Sequence, residues 1–218
     1  GIRMAGQVGI VAELLEGTAM HLEGKPGRRL EVRGGRKLDF LQNSDCCSAT
    51  TSWGMGAGSL QGAVMCPDAA AEFLTDNDDF ISMGPIMFNS DVFVISTPKG
   101  DVRKVGMSHK RSHQLVMAQS VFQEAESIPM LPVGLPYALQ KGEVEAIIVD
   151  LGVANGLGGS FSGWVGTPLP TQVLILRKDF THSEAFHEFA MAFGQARKDI
   201  LDKYAGSGLV MPELELFK

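Results

Sequence analysis

Residues 103–150 contain the pattern that decides the fold, written RKVGMSHKRSHQLVMAQSVF (103–122), SIPMLPV (127–133) and LPYALQKGEVEAIIVD (135–150). These segments predict a strand, a helix, a second strand, a short helix and a third strand. Such alternation is typical of α/β layers with largely parallel sheets. The last strand ends on Asp150, and ligands of α/β folds lie at the carboxyl ends of strands. The segment therefore predicts a protein that holds a small molecule.

The overall composition is that of an ordinary globular chain. It has 218 residues, of which 44% are hydrophobic and 20% charged, enough for one large domain or two lobes. The formal net charge of −6 predicts no general attraction to nucleic acid or anionic membranes. No apolar run approaches the roughly 20 residues of a membrane helix. Since the numbering opens on Gly1, we expect any export signal or lipid anchor to precede it.

Two extended segments flanked by Pro and Gly divide the chain. Pro-Lys-Gly follows Thr97, and the run at residues 166–170 precedes the strand-like TQVLILRK. These segments predict a discontinuous first lobe, residues 1–97 plus 171–218, and a second lobe, residues 98–170. Two hinged lobes leave a cleft between them, and such clefts commonly bind ligands.

Local patterns predict further elements on either side of the middle block. Residues 6–21 have apolar positions near helical spacing, and residues 61–65 predict a buried strand. Asp68 stands where the N-cap of the following helix is expected. Thr181 and Glu184 have the spacing of a capping box ahead of an amphipathic helix.

At three places the chain resembles the type II periplasmic solute-binding proteins, in the nitrate, sulfonate and thiamine-precursor branch of ABC transporter binding proteins. VGMSHKRSHQL (105–115) resembles the first strand and helix of that family's second lobe. The segment before Asp150 resembles its helix–Gly–strand unit, with Glu145 at the usual Asp position, and PTQVLILRKDF (170–180) resembles its returning strand. The resemblance covers residues 60–205 and implies a two-lobed α/β fold with mainly parallel sheets. The opening strand and ligand loop of the family are not recognisable in the first 55 residues.

The resemblance implies a substrate-binding protein that captures a small polar, anionic or thiophilic solute between its lobes for the permease of an ABC transporter. It also implies a periplasmic or extracellular, membrane-anchored location without a cofactor. No nucleophile elbow or paired catalytic carboxylates are evident in the sequence, which favours binding over catalysis. The alternative is a biosynthetic enzyme on the same fold that uses Cys46, Cys47 or His113. A regulatory effector domain is disfavoured, because too few residues precede Gly35 for a helix-turn-helix module.

The turn at residues 108–113 is the main candidate ligand contact of the second lobe. It follows a predicted strand and opens a predicted helix, whose free N–H groups and dipole favour an anion. Ser108 and Ser112 could donate hydroxyl hydrogen bonds, and Lys110 or Arg111 could supply positive charge. In the alternative interpretation Ser108 caps the helix and the charged side chains face water.

Four more side chains of the middle block are candidate contacts. His109 and His113 stand four residues apart, so they could line the ligand or share one helix face as metal ligands. Asp150 could accept a hydrogen bond from an amine or cap the next helix. Asn155 follows in a Gly-rich stretch that faces the cleft in the resembled fold.

In the first lobe, either the segment around two adjacent cysteines replaces the family's ligand loop, or the N-terminus is remodelled or truncated. The candidate ligand contacts of this segment are Ser44, Asp45, Cys46, Cys47 and Ser48, together with Asp68 further along the chain. Two neighbouring thiols could chelate a soft metal ion or form a vicinal disulfide, and Cys66 could add a third sulfur. The competing interpretation is that these cysteines are small buried hydrophobic residues.

Overall fold

The computed structural model describes residues 1–24, 38–43 and 60–215, without the side chains of residues 39–43. The strands are β1 (Ile2–Gln7), β2 (Leu38–Asn43), β3 (Gly62–Met65), β4 (Phe80–Phe88), β5 (Asp91–Ile95), β6 (Lys104–Ser108), β7 (Glu126–Met130), β8 (Ala146–Asp150) and β9 (Pro170–Arg177). The α-helices are α1 (Ile10–Leu22), α2 (Pro67–Thr75), α3 (Ser112–Val121), α4 (Leu135–Gln140), α5 (Leu151–Gly156), α6 (Lys178–Thr181) and α7 (Glu184–Lys203). Short 3-10 helices lie at Lys99–Asp101 and Pro132–Gly134.

The strands form two sheets, with the orders β2-β1-β3-β9-β4 and β5-β8-β6-β7. Parallel pairings join β1 to β2 and β3, and β6 to β7 and β8. Antiparallel pairings join β9 to β3 and β4, and β5 to β8. We call the first sheet with α1, α2, α6 and α7 the first lobe, and the second sheet with α3, α4 and α5 the second lobe.

The second lobe contains all five elements that residues 103–150 predict, namely β6, α3, β7, α4 and β8. The passage into this lobe falls at Asn89–Ser90, earlier than the predicted passage near Thr97, because β5 pairs with β8. The return passage ends where β9 begins at Pro170, and the predicted lobe bounds stay a prediction. The Asn89 side chain joins the first passage to the second, because it accepts the Leu169 N–H. It also donates to the Gly208 carbonyl.

The first lobe opens with a strand, and the prediction of one helix over residues 6–21 is wrong at its start. β1 lies between β2 and β3, and α1 begins only at Ile10. A central parallel strand is covered on both faces and lacks the alternation that marks a half-exposed strand. Gly6 keeps the strand close to α1, because a Cβ atom there would lie 2.5 Å from Val11 Cγ1.

Two predicted helix caps are also corrected. The N-cap of α2 is Cys66, with Pro67 as the first helical residue, so Asp68 lies inside the first turn. The long helix α7 is capped by Ser183, whose hydroxyl accepts from the Phe186 N–H, and not by Thr181. Proline at the first helical position leaves no N–H there to satisfy, which explains the earlier start of α2.

One apolar cluster joins the two lobes. Leu14 and Leu15 of α1 and Phe189 of α7 belong to the same buried cluster as Leu151 and Ala154 of α5. The lobes therefore meet through α1 and α5. Among the described residues, no helix combines the length and hydropathy needed to cross a bilayer.

Candidate functional site

A cavity of about 230 Å³ lies between the lobes, where β1, β6 and β8 end. The first lobe contributes Gln7 and Val8, and the second contributes Ser108, Arg111, Pro132, Val133, Leu135, Pro136, Val149, Asp150 and Val153. Most of these side chains are apolar, and the polar ones number four. Sites for drug-sized ligands usually enclose about 300–1,000 Å³. This cavity therefore suits a smaller molecule held by a few polar groups.

Arg111 supplies the positive charge of the cavity. It is the N-cap residue of α3 and is 5% exposed. Its Nη2 donates to Oε1 of Gln7, which belongs to the other lobe. The preceding residue, Lys110, has a φ of 57°, a left-handed backbone conformation that residues other than glycine rarely adopt. This backbone geometry turns the chain from β6 into α3 and places Arg111 at the cavity.

A buried hydrogen-bond network supports this turn from behind. Gln114 accepts the Ser108 N–H at 2.8 Å and donates to Oδ2 of Asp91 at 3.0 Å. His113 Nε2 lies 2.5 Å from the same Asp91 oxygen. Burial raises the pKa of the Asp91 carboxyl, but the hydrogen bond and charge of His113 and the charge of Arg111 outweigh it and hold the pKa below its usual value. Asp91 is therefore ionised within the core.

Asp150 supplies the carboxyl group of the cavity and also joins the lobes. Its Oδ1 accepts N–H groups from Gly152 at 2.8 Å and Val153 at 3.4 Å, so it caps α5. The same oxygen accepts the Ile10 N–H of α1 at 2.8 Å. The two lobes thus place the first turns of two helices around one carboxyl group.

The environment of Asp150 disfavours its charged form. Burial and the negative charge of Asp91, its register partner across β5 and β8, raise the pKa of Asp150 to about 7. The three backbone N–H groups act in the opposite direction and do not compensate. A neighbouring cation would favour the ionised form, because opposite charges stabilise one another at short range.

Two glycines allow the lobes to approach at Asp150. A Cβ atom on Gly9 would lie 2.1 Å from Oδ1 of Asp150, and Gly9 has a φ of 106°. A Cβ atom on Gly152 would lie 2.7 Å from the Ile10 nitrogen. Real Cβ contacts are not this short, so Gly9 can meet the Asp150 side chain, and Gly152 the backbone of α1, only because neither glycine has a side chain.

A second polar contact crosses the cleft at Asp68. Its carboxylate accepts the N–H of Ser112 at 2.7 Å and the hydroxyl of Ser112 at 2.9 Å. Asp68 lies in the first turn of α2 and Ser112 begins α3. A first-lobe carboxylate therefore satisfies the start of a second-lobe helix.

The candidate contacts predicted for the second lobe occupy different places. Ser108 and Asp150 line the cavity, and Asp150 also caps α5. His113 bonds to Asp91 behind the cavity, and the His109 N–H donates to the Met130 carbonyl. Asn155 is exposed on α5. Whether these residues contact ligand stays a prediction.

The predicted first-lobe contacts lie mostly outside the described residues, namely Ser44, Asp45, Cys46, Cys47 and Ser48. Asp68 is described, and it bonds to Ser112. Cys66 is buried at the end of β3, immediately before α2. Within residues 1–24, 38–43 and 60–215, no three His, Cys, Asp or Glu side chains are grouped to hold a metal. The soft-metal hypothesis for the three cysteines stays untested, because it needs Cys46 and Cys47.

Sequence reasoning missed Gln7 and Val8 of the cavity, the six apolar residues of its second-lobe wall and Asp91 behind it. Gln7 and Val8 were overlooked because β1 was interpreted as part of a helix, so its carboxyl end was not examined for ligand contacts. Asp91 begins the strand-like run DVFVI, and an acidic residue directly before a buried strand was the available signal. Its partner His113 comes from another element, which no local pattern reveals.

The comparisons with known proteins give matches of structure only. No protein-family model matches the sequence, and no curated protein sequence matches it. A periplasmic substrate-binding protein of an ABC transporter from Coxiella burnetii matches with a TM-score of 0.71 and 14% identity, over 97% of this chain and 100% of that chain. A nutrient-binding protein from Burkholderia cenocepacia bound to methionine matches with a TM-score of 0.68 and 11% identity, over 98% and 100%. The lipoprotein Tp32 from Treponema pallidum matches with a TM-score of 0.70 and 11% identity, over 97% and 98%.

These matches establish the fold. The chain has the two-lobed α/β fold of periplasmic substrate-binding proteins, with a cavity between the lobes, and this prediction is confirmed. At 11–14% identity the likeness carries the fold alone. Membership of the nitrate, sulfonate and thiamine-precursor branch stays a prediction.

Proposed function

We propose that this chain is a substrate-binding protein, not an enzyme, and that its solute is a small zwitterion bearing a carboxylate, an amine and an apolar group. The observation that carries the proposal is the composition of the interlobe cavity. One buried guanidinium, one carboxyl group and an apolar wall line about 230 Å³. An apolar amino acid offers the complementary set of groups.

Arg111 is the proposed partner of the solute carboxylate. A guanidinium presents several N–H donors in one plane, and two of them match the two oxygens of a carboxylate. Arg111 is held by Gln7 and by the turn that the Asp91 network supports. A pre-positioned side chain loses little conformational freedom on binding, which favours affinity.

Asp150 is the proposed partner of the solute amine. An ammonium group beside Asp150 would stabilise its ionised form, which burial and the charge of Asp91 disfavour. Val133, Leu135 and Pro136 supply an apolar surface for the rest of the solute. The protein from Burkholderia cenocepacia, which has the same fold, was solved with the amino acid methionine.

The cavity supports a zwitterion better than a purely anionic solute. Nitrate or a sulfonate would meet Arg111 but would also lie beside the carboxyl group of Asp150. Burying two like charges together is costly unless a counter-charge lies between them. The anionic or thiophilic solute that the resemblance implies is therefore the second candidate.

We further propose an extracytoplasmic location and an ABC transporter permease as the partner. The fold supports this assignment, because the Coxiella burnetii protein is a periplasmic component of such a transporter and the Treponema pallidum protein is a lipoprotein. The enzyme alternative has less support, because His113 is bonded to Asp91 and does not line the cavity.

A thermal-shift and calorimetry panel tests the proposal. It contains apolar L-amino acids, the matching amines without a carboxylate, the matching carboxylates without an amine, nitrate and alkyl sulfonates. We expect stabilisation only by the amino acids, since a ligand at a hundred times its Kd adds about 2.7 kcal/mol to native stability. Arg111→Ala should weaken binding by at least about 30-fold, the equivalent of roughly 2 kcal/mol for a lost buried charge contact.

The matched control is Arg103→Ala, which removes an exposed arginine of the same lobe and should bind the solute as the natural chain does. Binding of a carboxylate without an amine as tightly as its amino acid would refute the zwitterion. Absence of any stabiliser across the whole panel would refute the binding role for these solute classes.

A further inference from the structure

The backbones of α1 and α5 approach each other very closely where the two lobes meet. Gly9 and Gly152 face each other across the lobes, and a Cβ atom on Gly152 would lie 2.8 Å from the carbonyl carbon of Gly9. Asp150 lies in the same contact and accepts the Ile10 N–H of the opposite lobe. We call this contact of Gly9, Ile10, Asp150 and Gly152 the seam. Opening the lobes would break this hydrogen bond and expose the carboxyl group to water.

We propose that Asp150 makes closure of the two lobes depend on pH. Closure takes up a proton at Asp150, so the lobes close more readily as the pH falls. The proposal concerns the opening and closing on which the proposed function rests. It applies to the protein without solute, so it can be tested even if no solute is found.

The hydrogen bonds of Asp150 allow it to carry a proton and still hold the lobes together. All three N–H groups that bind it, from Ile10, Gly152 and Val153, reach the same oxygen, Oδ1. A protonated carboxyl group has its O–H on one oxygen and keeps the other as an acceptor. A proton on Oδ2 therefore leaves the contact with Ile10 intact.

The direction of the pH effect follows from the two environments. In the closed lobes, burial and the charge of Asp91 raise the pKa of Asp150 to about 7. In open lobes the carboxyl group meets water, so its pKa falls towards the ordinary value of about 3.9. Closing therefore takes up a proton between these two pH values, and acidification favours closure.

Other charged groups surround the seam and must be separated from Asp150 in any test. They are Asp91 on β5, Glu13 on α1, Lys203 and Tyr204 at the end of α7, and Arg111 and His113 at the start of α3. The negative charge of Asp150 contributes to raising the pKa of the Tyr204 hydroxyl. A variant that removes only the Asp150 proton equilibrium is therefore needed.

Asp150→Asn is that variant. The amide keeps an oxygen to accept the three N–H groups and resembles the protonated acid in shape and charge. Gly152→Ala is the complementary variant. Its φ lies outside the left-handed region, and the added methyl group collides with α1 only when the lobes are closed.

The experiment measures the relative orientation of the lobes by backbone residual dipolar couplings at pH 5.5 and pH 8.5, without solute. We expect the closure constant of the natural chain to change by up to about tenfold per pH unit between the two pKa values, since one proton is taken up. Asp150→Asn should be closed at both pH values, and Gly152→Ala should be open at both.

Carboxyl carbon shifts give an independent readout of the same proposal. Asp150 should titrate near pH 7 in the natural chain and at ordinary acidic pH in Gly152→Ala, where the seam is open. An orientation of the natural chain that does not change with pH would overturn the proposal. Equal pH dependence in Asp150→Asn would overturn it as well, since other groups would then carry the effect.

Discussion

The Asp91 carboxylate is fully buried and shares one oxygen between His113 and Gln114. Through Gln114 it reaches the Ser108 N–H, and so it supports the turn that presents Arg111. Its lowered pKa results from His113 and Arg111 acting against burial. Residues that contact no solute can therefore determine where the solute-binding charge lies.

Asp91→Ala should lower the free energy of unfolding by about 3–5 kcal/mol, because it leaves the buried Arg111 without this counter-charge and removes the acceptor that His113 and Gln114 share. Urea unfolding at pH 7 measures the loss. Asp101→Ala, at an exposed aspartate of the same lobe, should change stability by less than about 0.5 kcal/mol. Equal losses in the two variants would contradict a structural role for Asp91.

The stabilisation from Asp91 should also depend on pH. Its folded pKa is lowered, so the contribution is present above the unfolded pKa of about 3.9 and is lost as the pH falls through the folded pKa. The difference between the natural chain and Asp91→Ala, measured by urea unfolding, should therefore shrink on acidification. A difference that stays constant down to pH 2 would show that the charge of Asp91 is not what stabilises the fold.

Helix α2 of the first lobe supplies an acceptor for the start of helix α3 of the second lobe. The first N–H groups of a helix have no partner within that helix, and Asp68 of α2 accepts the first one of α3 from across the cleft. The capping pattern that the sequence suggested at Asp68 is therefore real in its chemistry but acts on another helix. The helix it was expected to cap starts at Pro67, which needs no acceptor.

Asp68→Ala should make the Ser112 amide exchange with deuterium about fivefold faster, since a lost hydrogen bond is worth about 1 kcal/mol. Amide exchange followed by NMR measures this position directly. Glu72→Ala, an exposed change on the same helix, is the control and should leave the rate at Ser112 unchanged. Unaltered exchange in Asp68→Ala would mean that the contact does not persist in solution.

At the scale of the whole molecule, the two sheets are separate but the apolar core is shared. Leu14 and Leu15 of the first lobe pack in one buried cluster with Leu151 and Ala154 of the second. The chain also passes twice between the lobes, at Asn89–Ser90 and before Pro170. At the first passage the Ser90 hydroxyl lies 2.6 Å from the Thr171 hydroxyl.

The shared core predicts that both lobes unfold together. Amide signals from β3 and β9 in the first lobe, and from β6 and β8 in the second, should disappear at the same urea concentration. NMR spectra recorded through a urea titration measure both lobes in one sample. Two midpoints that differ by more than the experimental error would contradict a single cooperative unit.

Much of the element order was predictable, and the misses have physical causes. The five elements from β6 to β8 were predicted correctly because they follow one another with clear changes of apolar spacing. β5 was placed in the first lobe, because its pairing with the distant β8 leaves no local signal. β1 was missed because a strand covered on both faces lacks alternation. In the site, Ser108 and Asp150 could be proposed because each ends a predicted strand, whereas Gln7 could not, because its strand was not recognised.

The sequence by itself determined the α/β class, the ends of β6 and β8 that face the cavity and the acidic and basic residues available there. These properties depend on neighbours a few residues apart, which apolar spacing records. Only the tertiary structure decided that Asp150 meets Ile10, that Asp68 meets Ser112 and that His113 bonds Asp91. Each of these contacts joins segments that lie 22 to 140 residues apart, and their charges and pKa values arise only when folding brings those segments together.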